Sequence, residues 1–170
     1  WTAGADRDLR YQRFVVTGDS PPDVMPGPVQ TMASSDTARP QVAARGLAAV
    51  VAYTDNGNVP VQTSADGGIT FAPAAVVIGT GSVASPSEVH TADVSGARIV
   101  IEATASKNGQ LTPVRVESVD GGATWATRSF GNVGARVGAL SKDTQTTSVL
   151  VEAWQNNAPG TDTLRAQYER

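Results

Sequence analysis

The sequence predicts an all-β fold assembled from a repeated antiparallel unit. Two eight-residue phrases of one pattern, Ser64–Phe71 (SADGGITF) and Ser118–Trp125 (SVDGGATW), lie 54 positions apart, and recurrence at such an interval is typical of repeat architectures. The 170-residue chain contains 17 glycines and 10 prolines, and no stretch of a dozen residues has helical periodicity. Together these observations favour short strands joined by tight turns.

Each octet is predicted to form a tight turn between two strands. The side chain of its aspartate can accept hydrogen bonds from backbone N–H groups two or three residues further on. The two glycines tolerate positive φ because they lack a Cβ atom. The threonine and the aromatic residue then favour a return to extended chain. We therefore expect structural roles for Ser64, Asp66, Gly68, Thr70 and Phe71 in the first octet, and for Ser118, Asp120, Gly122, Thr124 and Trp125 in the second.

Both octets resemble the Asp-box, or BNR repeat, S-x-D-x-G-x-T-W, of sialidases and related β-propeller proteins. Phe71 replaces the tryptophan in the first copy. In that family the box joins the third and fourth strands of a four-stranded blade and lies at the periphery, away from the catalytic face. The resemblance therefore implies a β-propeller or part of one, and it implies sialidase chemistry less directly.

Apolar, β-branched runs around the octets predict the remaining strands of each repeat. Second strands are expected at Leu47–Tyr53, Ala97–Ala103 and Ser148–Trp154, each followed by a turn at Asn56-Gly57, Asn108-Gly109 or Asn156 to Gly160. Third strands are expected at Val59–Thr63, Pro113–Glu117 and Leu164–Arg170. First strands are expected at Arg39–Ala44, Glu88–Asp93 and Ala135–Leu140, and fourth strands at Phe71–Ile78 and Trp125–Phe130.

These strands make residues 1–170 a single partial propeller domain. We assign 1–34 to the end of a preceding blade with a degenerate box at Thr17–Asp23, 35–82 and 83–133 to two blades with an Asp-box, and 134–170 to an incomplete blade. About three blades are too few to close a propeller, which needs roughly four to eight. A third octet would start directly after Arg170. We therefore expect further blades, either from the same parent protein or from a second copy of the chain.

Composition argues against several classes of partner. The formal net charge is −3 and no basic stripe is present, so we expect no nucleic-acid binding. No apolar stretch approaches 20 residues, so no membrane span is expected. The single histidine and the absence of cysteine remove the usual zinc ligands, and we expect no metal and no cofactor. Lysine is rare beside arginine, alanine and glycine, which together with the resemblance indicates a secreted or cell-surface bacterial protein.

Isolated polar residues are interpreted first as structural. His90 could act as a base, but no nucleophile motif such as G-x-S-x-G surrounds it, so a packed or solvated strand residue is the preferred interpretation. Asp66 and Asp120 could bind calcium through their oxygens. No D-x-D-x-D-G series is nearby, so turn capping explains them better.

The sialidase resemblance also implies candidate catalytic residues. Sialidases hold the substrate carboxylate with three arginines and use a Tyr–Glu nucleophile pair with an Asp acid/base. The candidates are Arg39, Arg98 and Arg136 for the clamp, and Asp55, Glu152 and Tyr168 for the chemistry. The R-I-P phrase of that family is absent, and the spacing of these residues does not specify the site. Tyr53, Trp154 and Tyr168 could stack on a glycan, with packing between blades as the alternative.

Three functions follow from the sequence. The first is a sialidase-like Asp-box propeller module of a bacterial extracellular protein, not catalytic on its own, that recognises a carbohydrate or a protein or acts as a scaffold. The second is a fragment of an exo-acting glycoside hydrolase of the sialidase type, completed by missing blades or a second chain. The third is a self-associating propeller whose subunits close a ring.

Overall fold

In the computed structural model the chain folds into antiparallel β-sheets, and the predicted all-β class is confirmed at that level. The structure describes residues 2–3, 8–18, 21, 23–33, 37–79, 85–107, 110–129, 135–142, 150–158 and 161–169. All the regular secondary structure within these ranges is β-strand. The strands, in chain order, are β1 (Thr2–Ala3), β2 (Asp8–Thr17), β3 (Asp23–Ala33), β4 (Thr37–Arg45), β5 (Ala48–Asp55), β6 (Val59–Ser64), β7 (Ala75–Ile78), β8 (Ser85–Ser95), β9 (Arg98–Lys107), β10 (Gln110–Ser118), β11 (Ala126–Ser129), β12 (Ala135–Lys142), β13 (Leu150–Ala158) and β14 (Thr161–Glu169).

Strands that follow each other in the chain are neighbours in the sheets, so each sheet is a meander. The N-terminal sheet has the order β1-β2-β3 and the C-terminal sheet β12-β13-β14. Between them lie the first four-stranded sheet, β4-β5-β6-β7, and the second, β8-β9-β10-β11. The chain divides into two compact units, Trp1–Thr37 and Ala38–Arg170. The N-terminal sheet belongs to the first unit and the other three sheets to the second.

Most strands differ from their predicted bounds by one to three residues, and two of the differences are instructive. The fourth strand of the first four-stranded sheet begins at Ala75 rather than at Phe71, because Pro73 has no N–H group to donate to the ladder. Strand β13 continues through Asn156 and Asn157, where a turn was expected, and both residues pair with β14. Other parts of the predicted elements lie outside the described residues: Asp19, Ser20, Pro22, Asn108, Gly109, Phe130, Ser148, Val149, Pro159, Gly160 and Arg170.

The two four-stranded sheets share one local design at the turn before their second strand. Gly46 and Gly96 occupy this turn and both have a φ of 60°. The residues that precede them, Arg45 and Ser95, are in contact, since Arg45 Nη1 donates to Ser95 Oγ at 3.3 Å. Corresponding turns of the two sheets are therefore adjacent in space, and residues 50 positions apart are counterparts in β5 and β9.

An aliphatic cluster joins the first and second four-stranded sheets. Its buried members are Val50, Ala52, Val59, Val61 and Ile78 from the first sheet, and Val89, Val94, Ile99, Ile101, Ala103, Ala105, Val114 and Val116 from the second. Each is at most 3% exposed. Burial of one valine or isoleucine side chain stabilises a fold by about 1.5–3 kcal/mol, so this cluster is the main stabilising contact among the described residues.

The two sheets contribute opposite faces to this cluster. Val50 belongs to the cluster, whereas its counterpart Val100 is buried outside it. The adjacent residues Ile99 and Ile101 take part instead. We call the face that contains Val50 in the first sheet and Val100 in the second the front of each sheet. Because side chains alternate between the faces of a strand, the front of the first sheet packs on the back of the second. The front of the second sheet, which contains Val100, is also buried, and strand β12 lies against this sheet.

The N-terminal sheet is dominated by the hairpin of β2 and β3. Its ladder has irregularities between Leu9 and Arg10 and between Gln12 and Phe14. At the second irregularity, Gln12 Nε2 donates to the Gly27 carbonyl oxygen at 3.0 Å. A Cβ atom at Gly27 would lie 3.1 Å from the Arg13 carbonyl oxygen, so a glycine fits the close approach of the two strands.

Gly122 of the second four-stranded sheet lies close to Thr63 of the first. Its φ is 97°, and a Cβ atom there would lie 2.8 Å from Thr63 Cγ2. We expect Gly122→Ala to lower the free energy of unfolding by about 2–4 kcal/mol, because left-handed backbone strain and overpacking add. Gly96→Ala is the matched control, since nothing lies within 4 Å of its added Cβ and only a loss of about 1 kcal/mol is expected.

Urea denaturation followed by tryptophan fluorescence measures both variants. Adding Thr63→Ala to Gly122→Ala should recover part of the loss, since it removes the side chain that the new methyl group meets. Equal losses in the two glycine variants would contradict the close contact between the sheets.

Candidate functional site

The two octets form hydrogen-bonded corners, one on each four-stranded sheet. In the first octet, the Ser64 hydroxyl donates to Asp66 Oδ1 at 2.7 Å. The Ser64 oxygen accepts from the backbone N–H groups of Gly68 at 2.9 Å and Asp66 at 3.3 Å. A buried side chain at the end of β6 thus holds the beginning and the middle of the turn together.

The Asp66 carboxylate completes the first corner. Oδ1 accepts from the N–H groups of Ile69 at 3.0 Å and Thr70 at 2.9 Å. Oδ2 accepts from the Thr70 hydroxyl at 2.5 Å. Ile69 lies three residues after the aspartate, within the predicted reach, whereas Thr70 lies four residues after it, one further than the sequence predicts. The longer reach arises because Gly67 and Gly68, with φ of 75° and 78°, wrap the chain around the carboxylate.

The second octet repeats these bonds 54 residues later. The Ser118 hydroxyl donates to Asp120 Oδ1 at 2.8 Å and accepts from the Gly122 N–H group at 2.8 Å. Asp120 accepts from the Thr124 N–H group at 2.8 Å and from the Thr124 hydroxyl at 2.6 Å. Since the same atoms are joined in the same order, both octets specify one local structure.

Each corner is also tied to the turn before the second strand of its own sheet. The Gly67 N–H group donates to the Leu47 carbonyl oxygen at 2.7 Å. The Gly121 N–H group donates to the Ala97 carbonyl oxygen at 2.8 Å. Leu47 and Ala97 follow the counterpart glycines of the two turns. The octet therefore fixes two connections of a sheet at once.

These bonds stabilise the ionised form of both aspartates. The hydroxyl and N–H groups of Thr70, followed by the Ser64 hydroxyl, hold the pKa of Asp66 far below its usual value. The corresponding bonds from Thr124 and then Ser118 lower the pKa of Asp120 to about 2. Hydrogen bonds that need the negative charge are the cause in both cases, since they are lost when the carboxyl is protonated.

An open groove accompanies each corner. Beside the first octet, a cavity of about 590 Å³ extends to the hairpin of β8 and β9, and its walls include Thr63, Ala65, Thr70, Phe71 and Ala72. Beside the second octet, a cavity of about 330 Å³ is lined by Glu117, Val119, Thr124, Trp125 and Ala126. The second five residues are the counterparts of the first five, 54 positions later. The groove is thus a repeated feature of the corner, and the one beside the first octet has further walls from the second sheet, among them Val94, Gly96 and Ile99.

Charged side chains are buried on the front of the second sheet, next to its corner. Arg115 and Glu102 are each 1% exposed and lie opposite each other on β10 and β9. Glu117 accepts from Arg98 Nε at 2.5 Å and from Arg115 Nη2 at 3.1 Å. One carboxylate therefore joins two guanidinium groups, which offsets part of the desolvation cost of burying the charges.

The front of the first sheet has apolar residues at the same positions. Val61 corresponds to Arg115 and Ala52 to Glu102, and both belong to the aliphatic cluster. The backbone design is repeated, but the chemistry of the face is not. The contact between the first and second sheets is aliphatic, whereas the opposite face of the second sheet presents an ionic group to the interior.

The candidate site residues whose side chains the structure describes lie apart from one another. Tyr53 is 3% exposed, its hydroxyl accepts from Gln62 Nε2 at 3.2 Å, and burial raises its pKa. Asp55 lies in the turn after β5, where its N–H and C=O groups pair with Asn58 at 3.0 and 2.8 Å. This turn is at the end of the sheet remote from the octet, whereas Arg98 starts β9 beside the octet end. Asp55 and Arg98 are therefore not brought together.

The other candidates are described by their backbone only. Arg39 lies in β4, Arg136 in β12, Glu152 and Trp154 in β13, and Tyr168 in β14. In the C-terminal sheet, Glu152 is in register with Gln167 and Tyr168 with Val151. The structure does not describe the side chains of these residues, so the predicted arginine clamp and Tyr–Glu pair stay predictions.

The described residues offer limited ligand chemistry beyond the corners. Among them, no group of three or more His, Cys, Asp or Glu side chains could hold a metal ion, and no helix is long and apolar enough to cross a membrane. The oxygens of Asp66 and Asp120, considered above for calcium, face donors within their own octets. His90 Nε2 is hydrogen-bonded to Thr104 Oγ1 within the second sheet.

Sequence reasoning missed two features of this region. The octet serines are centres of hydrogen bonding, although the sequence argument assigned the turn mainly to the aspartate and the glycines. The buried pair of Arg115 and Glu102 was also missed. The sequence contained a signal that these charges are buried. Arg115 stands between two valines and Glu102 lies within an apolar strand, so an exposed charge at either position would interrupt a run of buried side chains.

Comparisons with protein-family models and with curated proteins find no match to this chain. The function is therefore argued from the geometry of the corners and sheets and from the sequence pattern of the octets.

The two corners make the free energy of unfolding depend on pH in the acid range. Because the pKa of each octet aspartate is lower in the folded than in the unfolded chain, their stabilising contribution is complete above the unfolded value of about 4. It is lost as the pH falls through the folded value, about 2 for Asp120. We expect the double variant Asp66→Asn, Asp120→Asn to be less stable than the wild type at pH 7.

Urea denaturation between pH 7 and pH 2 provides the measurement. The two stability curves should converge in acid, since the wild type alone loses the octet carboxylates. Val42→Ala, a change at an exposed position outside the octets that alters no titratable group, serves as the control and should leave the wild-type acid slope intact. Parallel curves for the double variant and the wild type would show that the octets do not set the slope.

The buried charges give a second prediction. Arg115→Met should lower the free energy of unfolding by about 3–5 kcal/mol, because it removes the ion pair with Glu117 and the guanidinium group that lies opposite the buried Glu102. The double variant Arg115→Val, Glu102→Ala copies the residues of the first sheet and should be clearly more stable than the single variant. Thermal and urea unfolding compare the two, and a double variant as damaged as the single one would rule out this charge compensation.

Proposed function

We propose that the chain is part of an Asp-box β-propeller of the sialidase-like type. In this proposal it acts as a recognition or scaffolding module of a bacterial, secreted or cell-surface protein and is not catalytic on its own. The observation that carries the proposal is the corner geometry, repeated in the same place on two successive four-stranded sheets. The bacterial and extracellular setting rests on the octet resemblance and on the preference for arginine over lysine.

The packing of the sheets supports the propeller part of the proposal. Each four-stranded sheet is a meander in chain order, and the octet connects its third and fourth strands, as the Asp-box does. The front of the first sheet contacts the back of the second, so one head-to-tail operation relates them. A head-to-tail operation repeated along a chain produces a ring when its rotation closes. Blades around a common axis are the all-β architecture built in this way.

Recognition is favoured over catalysis by how the polar groups of the corners are used. The octet carboxylates are saturated by donors of their own turns, and the guanidinium group of Arg98 is paired with Glu117. These groups hold the fold together. The grooves beside them are lined by a partly buried aromatic side chain, Phe71 or Trp125, with Thr70 or Thr124 and an alanine at the wall, which suits contact with the face of a sugar ring or an extended peptide.

Binding and turnover measured on the same preparation test this proposal. We expect the chain to be retained on a defined subset of a glycan array while a fluorogenic sialoside stays uncleaved. Phe71→Ala and Trp125→Ala should reduce retention if the grooves bind the glycan, and Val42→Ala is the control because Val42 is exposed and lines neither groove.

Two results would change the assignment. Cleavage of the sialoside that is abolished by Arg39→Ala would overturn the non-catalytic role in favour of a glycoside hydrolase fragment. Absence of retention on every glycan would remove carbohydrate from the proposal and leave protein recognition or scaffolding.

A further inference from the structure

The groove beside the first octet, which we call the first groove, combines an apolar surface with a single carboxylate. Its lining includes the buried residues Ala49, Val94 and Ile99, each at most 3% exposed. Asp66 also lines this groove, and no arginine, lysine or histidine does so among the described residues. A cavity of about 590 Å³ is large enough for a ligand, since ligand sites commonly measure roughly 300–1,000 Å³.

The negative charge of Asp66 is stabilised by neutral groups alone. Its donors are hydroxyl and backbone N–H groups of its own octet, which favour the ionised form but do not cancel its charge. Asp66 takes part in none of the ion pairs formed by the described residues. Arg45, which lies in the turn before β5, donates to Ser95. The first groove therefore has a negative charge at its wall without a cationic partner.

The groove beside the second octet, which we call the second groove, differs in charge. Its carboxylate is Glu117, which is paired with the guanidinium groups of Arg98 and Arg115. Thr63 occupies the position of Glu117 in the first groove, and Asp120 is not among the described residues that line the second. The two grooves thus use equivalent wall positions, but only in the first is the lining carboxylate without such a pair.

A basic side chain matches both properties of the first groove. Lysine and arginine pack their aliphatic stems on apolar surface while the charged head stays in water. Arginine fits better, because a guanidinium group also stacks on aromatic rings and Phe71 lines the groove. The formal net charge of −3 adds a long-range attraction for a cationic partner. A neutral sugar would use the apolar lining and the ring but not the charge of Asp66.

We propose that the first groove binds an extended peptide segment of another protein through an arginine side chain. The aliphatic stem of the arginine lies on the apolar lining, and its guanidinium group lies between the Asp66 carboxylate and the Phe71 ring. The guanidinium group displaces no donor of the octet, since the attraction is between charges and does not need a free lone pair on Asp66. This inference rests on the recognition role proposed above and names the chemistry of its ligand.

The first experiment compares two capped peptides that differ in one charge. The probes are Gly-Ala-Val-Arg-Val-Ala-Gly and the same peptide with citrulline, which is neutral and nearly isosteric, in place of arginine. Each is titrated into the isotope-labelled chain while the amide chemical shifts are recorded. We expect the arginine peptide to have at least about a tenfold lower dissociation constant, and to shift the signals of the first octet but not of the second. Equal dissociation constants would overturn the proposal.

The second experiment changes the charge of the groove without altering the hydrogen bonds of the corner. Ala65 is exposed and lines the first groove, and its counterpart Val119 is 70% exposed and lines the second. Ala65→Lys should weaken binding of the arginine peptide and Ala65→Glu should strengthen it, each by several-fold. The matched controls Val119→Lys and Val119→Glu should change it much less. Equal effects at the two positions would show that net charge alone, and not the first groove, attracts the peptide.

The third experiment removes the carboxylate itself. Asp66→Asn and Asp120→Asn make the same change in equivalent corners, so they should have similar effects on stability. Only Asp66→Asn should abolish the preference for arginine over citrulline, because Asp120 does not line the first groove. Loss of the preference in both variants would contradict the role of Asp66.

These measurements separate this inference from the proposed function. If the arginine and citrulline peptides bind equally well, the preference for a basic side chain is wrong but protein recognition stands. If neither peptide binds and the chain is retained on a glycan, the inference is wrong and carbohydrate recognition stands. If no peptide and no glycan binds, both the inference and the recognition role are overturned, and scaffolding is left.

Discussion

Hydrogen bonding to one carboxylate in each octet is the constraint on which the rest of the described structure depends. The carboxylate of Asp66 or Asp120 fixes the chain over four residues, and the preceding serine fixes the entry to the turn. The glycine that follows each aspartate ties the corner to the turn before the second strand. With two connections of the sheet held together, the sheet presents a defined front and back to its neighbours.

That polarity explains why a repeated backbone can have unlike surfaces. The aliphatic contact of the first sheet with the second is formed by Val50 and Val61, yet the equivalent face of the second sheet has Arg115 and Glu102. Side chains can change between repeats because the corner, rather than the face, maintains the geometry. The two grooves show the same effect, since their walls use equivalent positions but contain Phe71 in one and Trp125 in the other.

The sequence predicted the strands and turns well, but it did not show which side chains of a strand face the neighbouring sheet. The octets were recognisable because aspartate, paired glycines and threonine each have a local reason to be in a turn. Boundaries failed where a local signal misled, as at Asn156 and Asn157, which pair within β13. Faces could not be assigned because β5 and β9 are apolar on both sides, so a period of two gives no contrast between Val100 and Ile101. Contacts of the candidate site residues required coordinates, since Asp55 and Arg98 are separated by the whole length of a strand.

Front-to-back stacking has a consequence for how such a chain can change over time. The second sheet meets the first through its back and has a separate, buried front, so a duplicated segment would arrive with a surface that already fits the sheet before it. Only the junction at the newly created boundary must adapt. Substitutions on one packing face of a sheet then need not be matched by substitutions on the other face. An ionic face can therefore coexist with an aliphatic one in the same molecule.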